Sequence, residues 1–201
     1  MESVMEFQEF GKIARLTREC TITEKIDGTN AQIYIGENGD FLTGSRTQWI
    51  TPENDNHGFS RWAHEHKEDL LKLGIGSHFG EWWGSGIQRG YNLLKGEKRF
   101  SLFNTRRWAR IGNELCQYPT QDPRVMKSQE HAPECCHVVP VLYEGMFDTT
   151  MFFSVLGMLK SHGSYASEGF MNPEGIVIYH KQGNIMFKKT LDKDDEWKGK
   201  K

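Results

Sequence analysis

The chain lacks any long hydrophobic stretch. Its 201 residues contain no apolar run near the ~20 residues needed to cross a bilayer, and Met1–Phe10 carries acidic residues where a signal peptide has an apolar core. Internal repeats and low-complexity segments are also absent. These absences exclude a helical membrane protein and a repeat protein, and they predict a soluble, cytoplasmic protein with no membrane partner.

The cysteines are few and poorly spaced for a metal site. Cys135 and Cys136 are adjacent and precede His137, with Cys116 and His131 nearby. Adjacent cysteines do not make the Cys-x-x-Cys pair typical of structural zinc sites, and no second pair is present. A structural zinc site is therefore the weaker interpretation, and reduced, partly buried thiols in a cytoplasmic protein are the stronger one.

Overall charge is also small, with a formal net charge of −2. One segment nevertheless concentrates positive charge, with aromatic residues interleaved and only Glu97 opposing it. Its members are Lys95, Lys98, Arg99, Arg106, Arg107 and Arg110, with Phe100, Phe103 and Trp108 among them. Such a segment is typical of a surface that binds a phosphate backbone, and a solvated basic loop is the alternative. The near-neutral net charge of the whole chain predicts modest, salt-dependent affinity for nucleic acid.

Length and composition suit one compact domain. At 201 residues and 37% hydrophobic content the chain can fill a single core, so we expect one domain over residues 1–201. Periodicity and turn residues predict the secondary structure. The predicted strands are Cys20–Glu24, Ala31–Ile35 and His137–Asp148, the predicted helices are Asn54–Leu73 and Thr150–Lys160, Asn113–Glu134 is predicted to be a long loop, and Asp192–Lys201 is predicted to fray or to form a short helix.

The most informative segment is Lys25-Ile26-Asp27-Gly28-Thr29-Asn30, a short turn between the first two predicted strands. A lysine there can attack a nucleoside triphosphate and hold the nucleotide as a covalent phosphoramidate. Since a free lysine has a pKa near ~10.4 and about one in 2,500 is neutral at pH 7, this chemistry needs partial burial and nearby cations, for which Lys188, Lys189 and a metal ion are candidates. The motif alone is weak, because it occurs by chance in roughly one chain in twenty. A polar hairpin turn is the alternative.

Three further segments follow down the chain. Phe79-Gly80-Glu81-Trp82-Trp83-Gly84 is a short apolar run with a single acid, for which an ordinary aromatic strand is the alternative. Glu174 stands at the mouth of a β-branched strand that ends at Tyr179. A turn at Gln182-Gly183-Asn184 then leads into Ile185–Thr190, a strand that carries two lysines. A plain hairpin with a solvated lysine pair is the alternative for these last two.

In this order the four segments resemble the motifs of the covalent nucleotidyltransferase superfamily. Within it the chain is most similar to ATP-dependent RNA ligases of the nick-sealing type, where Glu precedes the lysine motif and Asn follows it, as Glu24 and Asn30 do here. The resemblance runs from about Thr21 to about Thr190. It implies an α+β fold in which antiparallel β-sheets cradle a nucleotide and helices flank them, as in nucleotidyltransferase and ATP-grasp-like ligase catalytic domains.

The resemblance also implies an activity. Lysyl-AMP forms from ATP with Mg²⁺ (or Mn²⁺), AMP passes to a 5′-phosphate end, and a 3′-hydroxyl then displaces AMP and seals the strand. Ligases acting on DNA and capping enzymes usually append an OB-fold domain, for which the eleven residues after Thr190 leave no room. We therefore expect a minimal RNA ligase whose partner is RNA, either as a nicked duplex or as RNA and DNA ends. We expect it to be a monomer, and an accessory partner for substrate capture is one option. A nucleotidyltransferase that does not seal strands and a non-catalytic nucleic-acid-binding module are the alternatives.

Roles for individual residues follow from the same resemblance. Lys25 is the nucleophile and Glu174 the metal ligand, while Asn30 and Asp27 act on the substrate end in the later steps. The nucleotide-binding residues are Glu24 for the adenine amino group, Ile26 within the lysine motif, Arg46 after Gly44-Ser45, Glu81 for the ribose, Phe103 for stacking on adenine, and Lys188 or Lys189 for phosphate.

The sequence departs from the family pattern at two places. Asn104 follows Phe103 where the family normally has Asp. Lys188 and Lys189 are adjacent, whereas the family spaces its two phosphate-contacting lysines by one residue. Because adjacent residues of a regular strand point to opposite faces, only one lysine can reach the phosphate. We choose Lys188, which follows Phe187, and keep Lys189 as the second choice.

Overall fold

The computed structural model describes residues 6–109 and 130–192. The described part contains short helices and many strands. The strands are β1 (Glu19–Lys25), β2 (Thr29–Ile35), β3 (Phe41–Gly44), β4 (Trp49–Ile50), β5 (Gly76–Gly84), β6 (Lys98–Leu102), β7 (Trp108–Ala109), β8 (Glu130–His131), β9 (Cys136–Val138), β10 (Val141–Met146), β11 (Gly175–His180) and β12 (Ile185–Thr190). The helices are α1 (Phe59–Glu65), α2 (Lys67–Leu70) and α3 (Thr149–His162), and a 3₁₀ turn spans Leu71–Leu73.

Two larger sheets organise these strands. Sheet A has the order β10-β1-β11-β12, and all its pairs are antiparallel. Sheet B has the order β4-β3-β2-β5-β6-β9, and only its β6–β9 pair is parallel. β7 and β8 form a separate short pair. The predicted α+β class with antiparallel sheets and flanking helices is therefore confirmed.

Each larger sheet buries one face against helices. Sheet B packs side chains such as Ile33, Trp82 and Phe100 against Phe59 of α1. Sheet A packs Ile22 and Ile178 against α3. A third cluster lies where the ends of β1 and β5 approach each other, and burying its apolar area fixes the two sheets together. Its members are Ile26, Trp83, Tyr91, Val139 and Phe170.

The first predicted helix begins later than expected and is broken. The carboxylate of Asp55 accepts hydrogen bonds from the backbone N–H groups of Ser60 (2.7 Å) and Arg61 (3.0 Å), and Gly58 before α1 is left-handed, with φ 83°. The Asp55 carboxylate thus binds N–H groups of the first helical turn, and α1 starts at Phe59. The backbone of His66 (φ −105°, ψ 18°) then leaves the helical region between α1 and α2.

The second predicted helix is correct to within two residues at each end. The Asp148 side chain accepts the N–H of Thr150 and begins α3, and Gly163 follows its last residue. Within the described ranges, no helix is long and apolar enough to cross a membrane.

The predicted strand His137–Asp148 is two strands, β9 and β10. Pro140 lies between them and has no N–H for a sheet ladder. The predicted loop Asn113–Glu134 lies outside the described residues except at its end, where β8 and a short turn are found. The predicted frayed end likewise lies outside them, apart from Asp192.

Candidate active site

The loop of residues 26–28 carries the chain from sheet A to sheet B. It leaves β1 and enters β2 at the junction of the two sheets. A Cβ on Gly28 would lie 2.5 Å from the carbonyl oxygen of Trp82 and 2.8 Å from Cβ of Trp83. Glycine is therefore required, because the loop packs directly on β5. The side chain of Ile26 is buried in the third cluster and anchors the loop. Its side chain therefore belongs to the core, and the assignment of Ile26 to nucleotide binding stays a prediction.

Lys25, at the end of β1, lies next to Glu174. The register pairs Lys25 with Gly175, so the residue before β11 stands beside the lysine. Nζ of Lys25 donates to Oε2 of Glu174 at 2.6 Å, and both side chains are mostly buried. A Cβ on Gly175 would collide with the carbonyl oxygen of Lys189. The glycine therefore lets β12 approach, and this approach sets the position of Glu174.

Glu81, on β5, closes the other side of the loop. Its two carboxylate oxygens accept hydrogen bonds from the backbone N–H of Gly28 (3.0 Å) and from Nδ2 of Asn30 (3.2 Å). The carboxylate is buried, and burial raises the pKa of Glu81 to about 7 even though Lys25 nearby acts to lower it. The sequence-predicted residues Lys25, Glu81, Asn30 and Glu174 therefore converge on one place.

Asp27 is held by two residues that the sequence analysis did not identify. Nε of Arg89 donates to Oδ2 of Asp27 at 3.1 Å, and Nη1 donates to the carbonyl oxygen (3.0 Å) and Oδ1 (2.8 Å) of Asn172. The backbone N–H of Asp27 donates to the hydroxyl of Tyr91 at 2.8 Å. Burial raises the pKa of Tyr91, so this hydroxyl stays protonated. Arg89 therefore joins the lysine loop to the segment that precedes Glu174.

Glu24 is buried, and its carboxylate is engaged by the segment that follows α3. One oxygen accepts from the hydroxyl of Ser164 (2.6 Å), and the other from the N–H groups of Tyr165 (2.8 Å) and Ala166 (3.0 Å). Burial raises the pKa of Glu24. Glu24 and Lys25 point to opposite faces of sheet A. Glu24 lies with Ile22 on the face that packs against α3. In this structure Glu24 holds residues 164–166, and its contact with an adenine amino group stays a prediction.

Lys188 and Lys189 lie on opposite faces of sheet A. Lys188 pairs with Val177, which pairs with Thr23, so it shares the face of Lys25. Lys189 instead pairs with Ile176 on the α3 side, and its Nζ lies 5.6 Å from the centre of the Phe153 ring. The register therefore offers Lys188, and not Lys189, to a phosphate at the lysine.

The aromatic and arginine candidates lie on sheet B. Phe103 follows β6 and is 39% exposed, whereas Phe100 is completely buried in the core. This exposure agrees with the choice of Phe103 over Phe100 for base stacking. Arg46 is exposed in the turn between β3 and β4.

The predicted basic and aromatic segment is not one continuous surface. Phe100 and Trp108 are buried, so their rings serve the core. Arg99 pairs with Glu97 at 2.6 Å. Nζ of Lys98 donates to the carbonyl oxygen of His57 at 2.6 Å. Because side chains alternate along β6, Lys98 and Arg99 lie on different sides of the sheet. Arg110 lies outside the described residues.

The residues present suit a hard cation with few protein ligands. Across residues 6–109 and 130–192, no group of three His, Cys, Asp or Glu side chains is placed to hold a metal ion. Glu174 and Glu81 both stand near Lys25. One or two carboxylates are what Mg²⁺ takes from a protein when substrate phosphates supply its other ligands. The zinc alternative depends partly on Cys116, outside the described residues, and Cys135 and Cys136 are free thiols with their sulfurs 4.0 Å apart.

A family model for RNA ligases matches residues 18–191. The chain belongs to the RNA ligase family. The structure is also similar to solved structures of RNA ligase from Naegleria gruberi. An apo variant matches with a TM-score of 0.58 and 19% identity, a variant with AMP and Mn with 0.57 and 19%, and the ligase with PPi with 0.54 and 20%.

These matches cover 86% of the present chain and 49% of the Naegleria chain. The chain thus spans about half the length of the ligases it matches, and at this identity the likeness concerns the fold. Among curated proteins there is no significant sequence match.

Proposed function

We propose that the chain is an ATP-dependent RNA ligase that forms a covalent lysyl-AMP on Lys25, transfers AMP to a 5′-phosphate end and seals that end to a 3′-hydroxyl. The observation that carries the proposal is the 2.6 Å contact between Lys25 and Glu174 at the junction of two sheets, in a chain of the RNA ligase family. The Naegleria ligases of this fold were solved with ATP or AMP and Mn, which supports ATP as the nucleotide and a divalent ion.

The first step needs a neutral lysine. Nζ of Lys25 attacks the α-phosphorus, a P–N bond forms, and the P–O bond to pyrophosphate breaks. A proton must leave Nζ, and Oε2 of Glu174 is placed 2.6 Å away to accept it. The contact thus holds Nζ in place, and passage of the proton to Oε2 leaves the neutral amine that attacks.

The remaining residues bind and orient the nucleotide. Phe103 offers an exposed ring to the base, Glu81 offers its free lone pairs to the ribose hydroxyls, and Lys188 faces the phosphates from the same side as Lys25. Arg46 is assigned to the nucleotide or to the 5′-phosphate of the RNA. In the later steps the 5′-phosphate oxygen displaces Lys25 from AMP, and the 3′-hydroxyl then displaces AMP, with Asn30 and Asp27 beside the reacting end.

A divalent ion would be held by Glu174, with Glu81 as a second carboxylate. When bound, Mg²⁺ or Mn²⁺ supplies positive charge that neutralises the phosphate oxygens during transfer. Both side chains offer the hard oxygen ligands that such ions prefer.

The first step is tested by intact mass after incubation with ATP and Mg²⁺, with pyrophosphatase present to pull the reaction forward. We expect wild type to gain one adenylyl group and Lys25→Ala to gain none. Lys72→Ala is the matched control, because Lys72 is an exposed lysine paired with Asp69 far from the site. A labelled Lys25→Ala protein would contradict the mechanism. An unlabelled wild type would favour the non-catalytic binding module.

Sealing needs a separate assay, because the chain spans about half the length of the matched ligases. A nicked RNA duplex and a single-stranded RNA, each with a 5′-phosphate and a 3′-hydroxyl, are incubated separately with the adenylated protein and resolved on gels. A joined strand is expected. Accumulation of adenylated ends without joining would instead identify a nucleotidyltransferase that does not seal.

A further inference from the structure

Exposed aromatic rings form a row across one face of sheet B. Trp49 (52% exposed), Phe79 (55%) and Phe103 (39%) are its members, and we call them the aromatic row. The register runs directly through it: Trp49 pairs with Gly44, Gly44 with Gln32, and Gln32 with Phe79. The N–H of Phe103 then donates to the carbonyl oxygen of Phe79 at 3.0 Å. The three rings therefore lie in one row on one sheet surface, with Gly44 and Gln32 between Trp49 and Phe79.

The aromatic row borders the candidate active site. Asn30 and Glu81 are two residues from Gln32 and Phe79 along β2 and β5, and they project from the same face. Two residues of a strand cover about 7 Å. The opposite face of the sheet holds the buried core with Trp82. An open aromatic surface thus continues directly from the residues around Lys25.

The chemistry of the row suits nucleobases. Contiguous exposed apolar surface marks interaction sites on folded proteins, and these rings are exposed on one face. Gln32 stands between the rings with an amide that can bond base edges, and exposed Arg46 lies three residues before Trp49, where a phosphate can follow a stacked base. Flat rings with an interspersed amide and a cation are the means by which proteins bind unpaired nucleic acid.

We propose that Trp49 and Phe79 stack on unpaired bases of the RNA strand whose end is joined, while Phe103 at the end of the row stacks on the adenine. This assignment rests on the proposed function, since it places the RNA strand beside Lys25. It names single-stranded RNA next to the joined end as the ligand of this face.

The test is the affinity for a labelled single-stranded RNA with a 5′-phosphate, measured by fluorescence anisotropy at several salt concentrations. Stacking contributes ~1–3 kcal/mol per base, so Trp49→Leu and Phe79→Leu are each expected to weaken binding by about 5-fold to about 100-fold. Trp49→Phe keeps an aromatic face and is expected to retain most of the affinity. The slope of log affinity against log salt is expected to stay the same, because no charge is removed.

Phe153→Leu is the matched control, because Phe153 is 65% exposed but lies on α3, against sheet A. Its affinity for RNA is expected to equal that of wild type. Equal affinities for wild type and Trp49→Leu would overturn the proposal and would favour a protein segment as the occupant of the row. The proposal would also be overturned if Trp49→Phe lost as much affinity for RNA as Trp49→Leu. Adenylation of wild type by ATP is scored separately, so a protein that binds RNA through the row but forms no lysyl-AMP refutes the proposed function alone.

Discussion

Lys25 and Glu174 are 149 residues apart in the chain, and their side chains meet at 2.6 Å. The contact exists because β1 and β11 are antiparallel neighbours whose register ends at Lys25 and Gly175. Both side chains are mostly buried, so the pair is only weakly screened by solvent. One carboxylate therefore holds the lysine that we propose as the nucleophile, and in the proposed mechanism it also takes the proton of that lysine.

Replacing Glu174 with Gln removes the base and the ion pair but keeps the shape of the side chain. We expect lysyl-AMP to form at least about 100-fold more slowly, the lower range for loss of a general base. The rate is measured in a single turnover with excess ATP. Glu37→Gln, an exposed residue in the turn after β2, serves as the control and is expected to react at the wild-type rate. An unchanged rate in Glu174→Gln would remove the base from the mechanism.

The two adjacent lysines of β12 provide a matched pair of variants. Lys188 shares the face of Lys25, and Lys189 lies over the Phe153 ring on the other face. Loss of a hydrogen bond to a charged group costs ~1.5–3 kcal/mol, so Lys188→Ala is expected to lower the rate of adenylation by about 10-fold to 100-fold. Lys189→Ala is expected to have a much smaller effect. Adenylation rates over a range of ATP concentrations test this, and a larger effect at Lys189 would show that the register argument is wrong.

Glu81 makes the stability of the protein depend on pH. Burial raises the pKa of Glu81 from 4.5 to about 7, so within this interval the folded protein holds a proton that the unfolded chain releases. The contribution of Glu81 to the free energy of unfolding therefore falls as pH rises from about 4.5 to about 7. Above about pH 7 this contribution is constant. Glu81→Gln cannot ionise. We expect the stability of the variant relative to wild type to rise over this interval by on the order of 3 kcal/mol.

Urea unfolding at several pH values measures this difference directly. Burial raises the pKa of Glu24 in both proteins. The contribution of Glu24 to the pH dependence of stability therefore cancels when the two are compared. Exposed Glu37→Gln is again the control and is expected to follow wild type at every pH. A difference between Glu81→Gln and wild type that stays flat across the interval would mean that Glu81 is ionised in the folded state.

The buried carboxylate of Glu24 should matter for stability more than for chemistry. Glu24→Ala removes the acceptor for the hydroxyl of Ser164 and for two backbone N–H groups. Each donor left without its acceptor costs ~1–3 kcal/mol, and the Ala166 N–H keeps a bond to the hydroxyl oxygen of Ser164. We therefore expect the free energy of unfolding to fall by about 2–6 kcal/mol. Ser164→Ala leaves both N–H bonds to Glu24 in place but also removes the acceptor of the Ser167 N–H, so it is expected to cost about 1–3 kcal/mol. Thermal or urea unfolding checks both values, and equal losses would show that the N–H bonds contribute little.

Local patterns were enough to predict β1, β2, β11 and β12, to place β9 and β10 within one longer strand, and to name residues that meet at the candidate site. The strand on each side of the lysine loop is visible as alternation, and Gly28 and Gly175 mark places where backbones approach closely. Lys25, Glu81 and Glu174 were recognised from short motifs that carry their own chemistry. Their meeting in space follows once the strands pair in register.

Long-range contacts explain what the sequence did not show. Nothing in the residues around Glu24 distinguishes a carboxylate that contacts a base from one that accepts the N–H groups of residues 165–166. Phe100 is buried because it lies on the core face of β6, and Phe103 is exposed because it follows the end of that strand. The start of α1 was missed because the Asp55 carboxylate reaches forward to Ser60, a contact that periodicity alone does not contain.

Arg89 was not predicted at all, because the residues that it joins are far apart in the chain. Its guanidinium bonds Asp27 in the lysine loop and Asn172 just before Glu174, so it should fix the distance between Lys25 and Glu174 without touching substrate. We expect Arg89→Ala to slow lysyl-AMP formation by about 10-fold or more, as expected for a buried, charged hydrogen bond.

Arg89→Lys tests whether charge alone is enough. Lysine keeps the positive charge but lacks the planar fork that bonds two partners at once, so it is expected to recover only part of the rate. In a double-mutant cycle with Asp27→Asn, the effects should be less than additive, with a coupling of ~0.5–3 kcal/mol. Arg107→Ala is the control, because Arg107 also pairs with an acid, Glu130, away from the site. Full activity of Arg89→Ala, or strict additivity with Asp27→Asn, would show that the lysine loop keeps its position without Arg89.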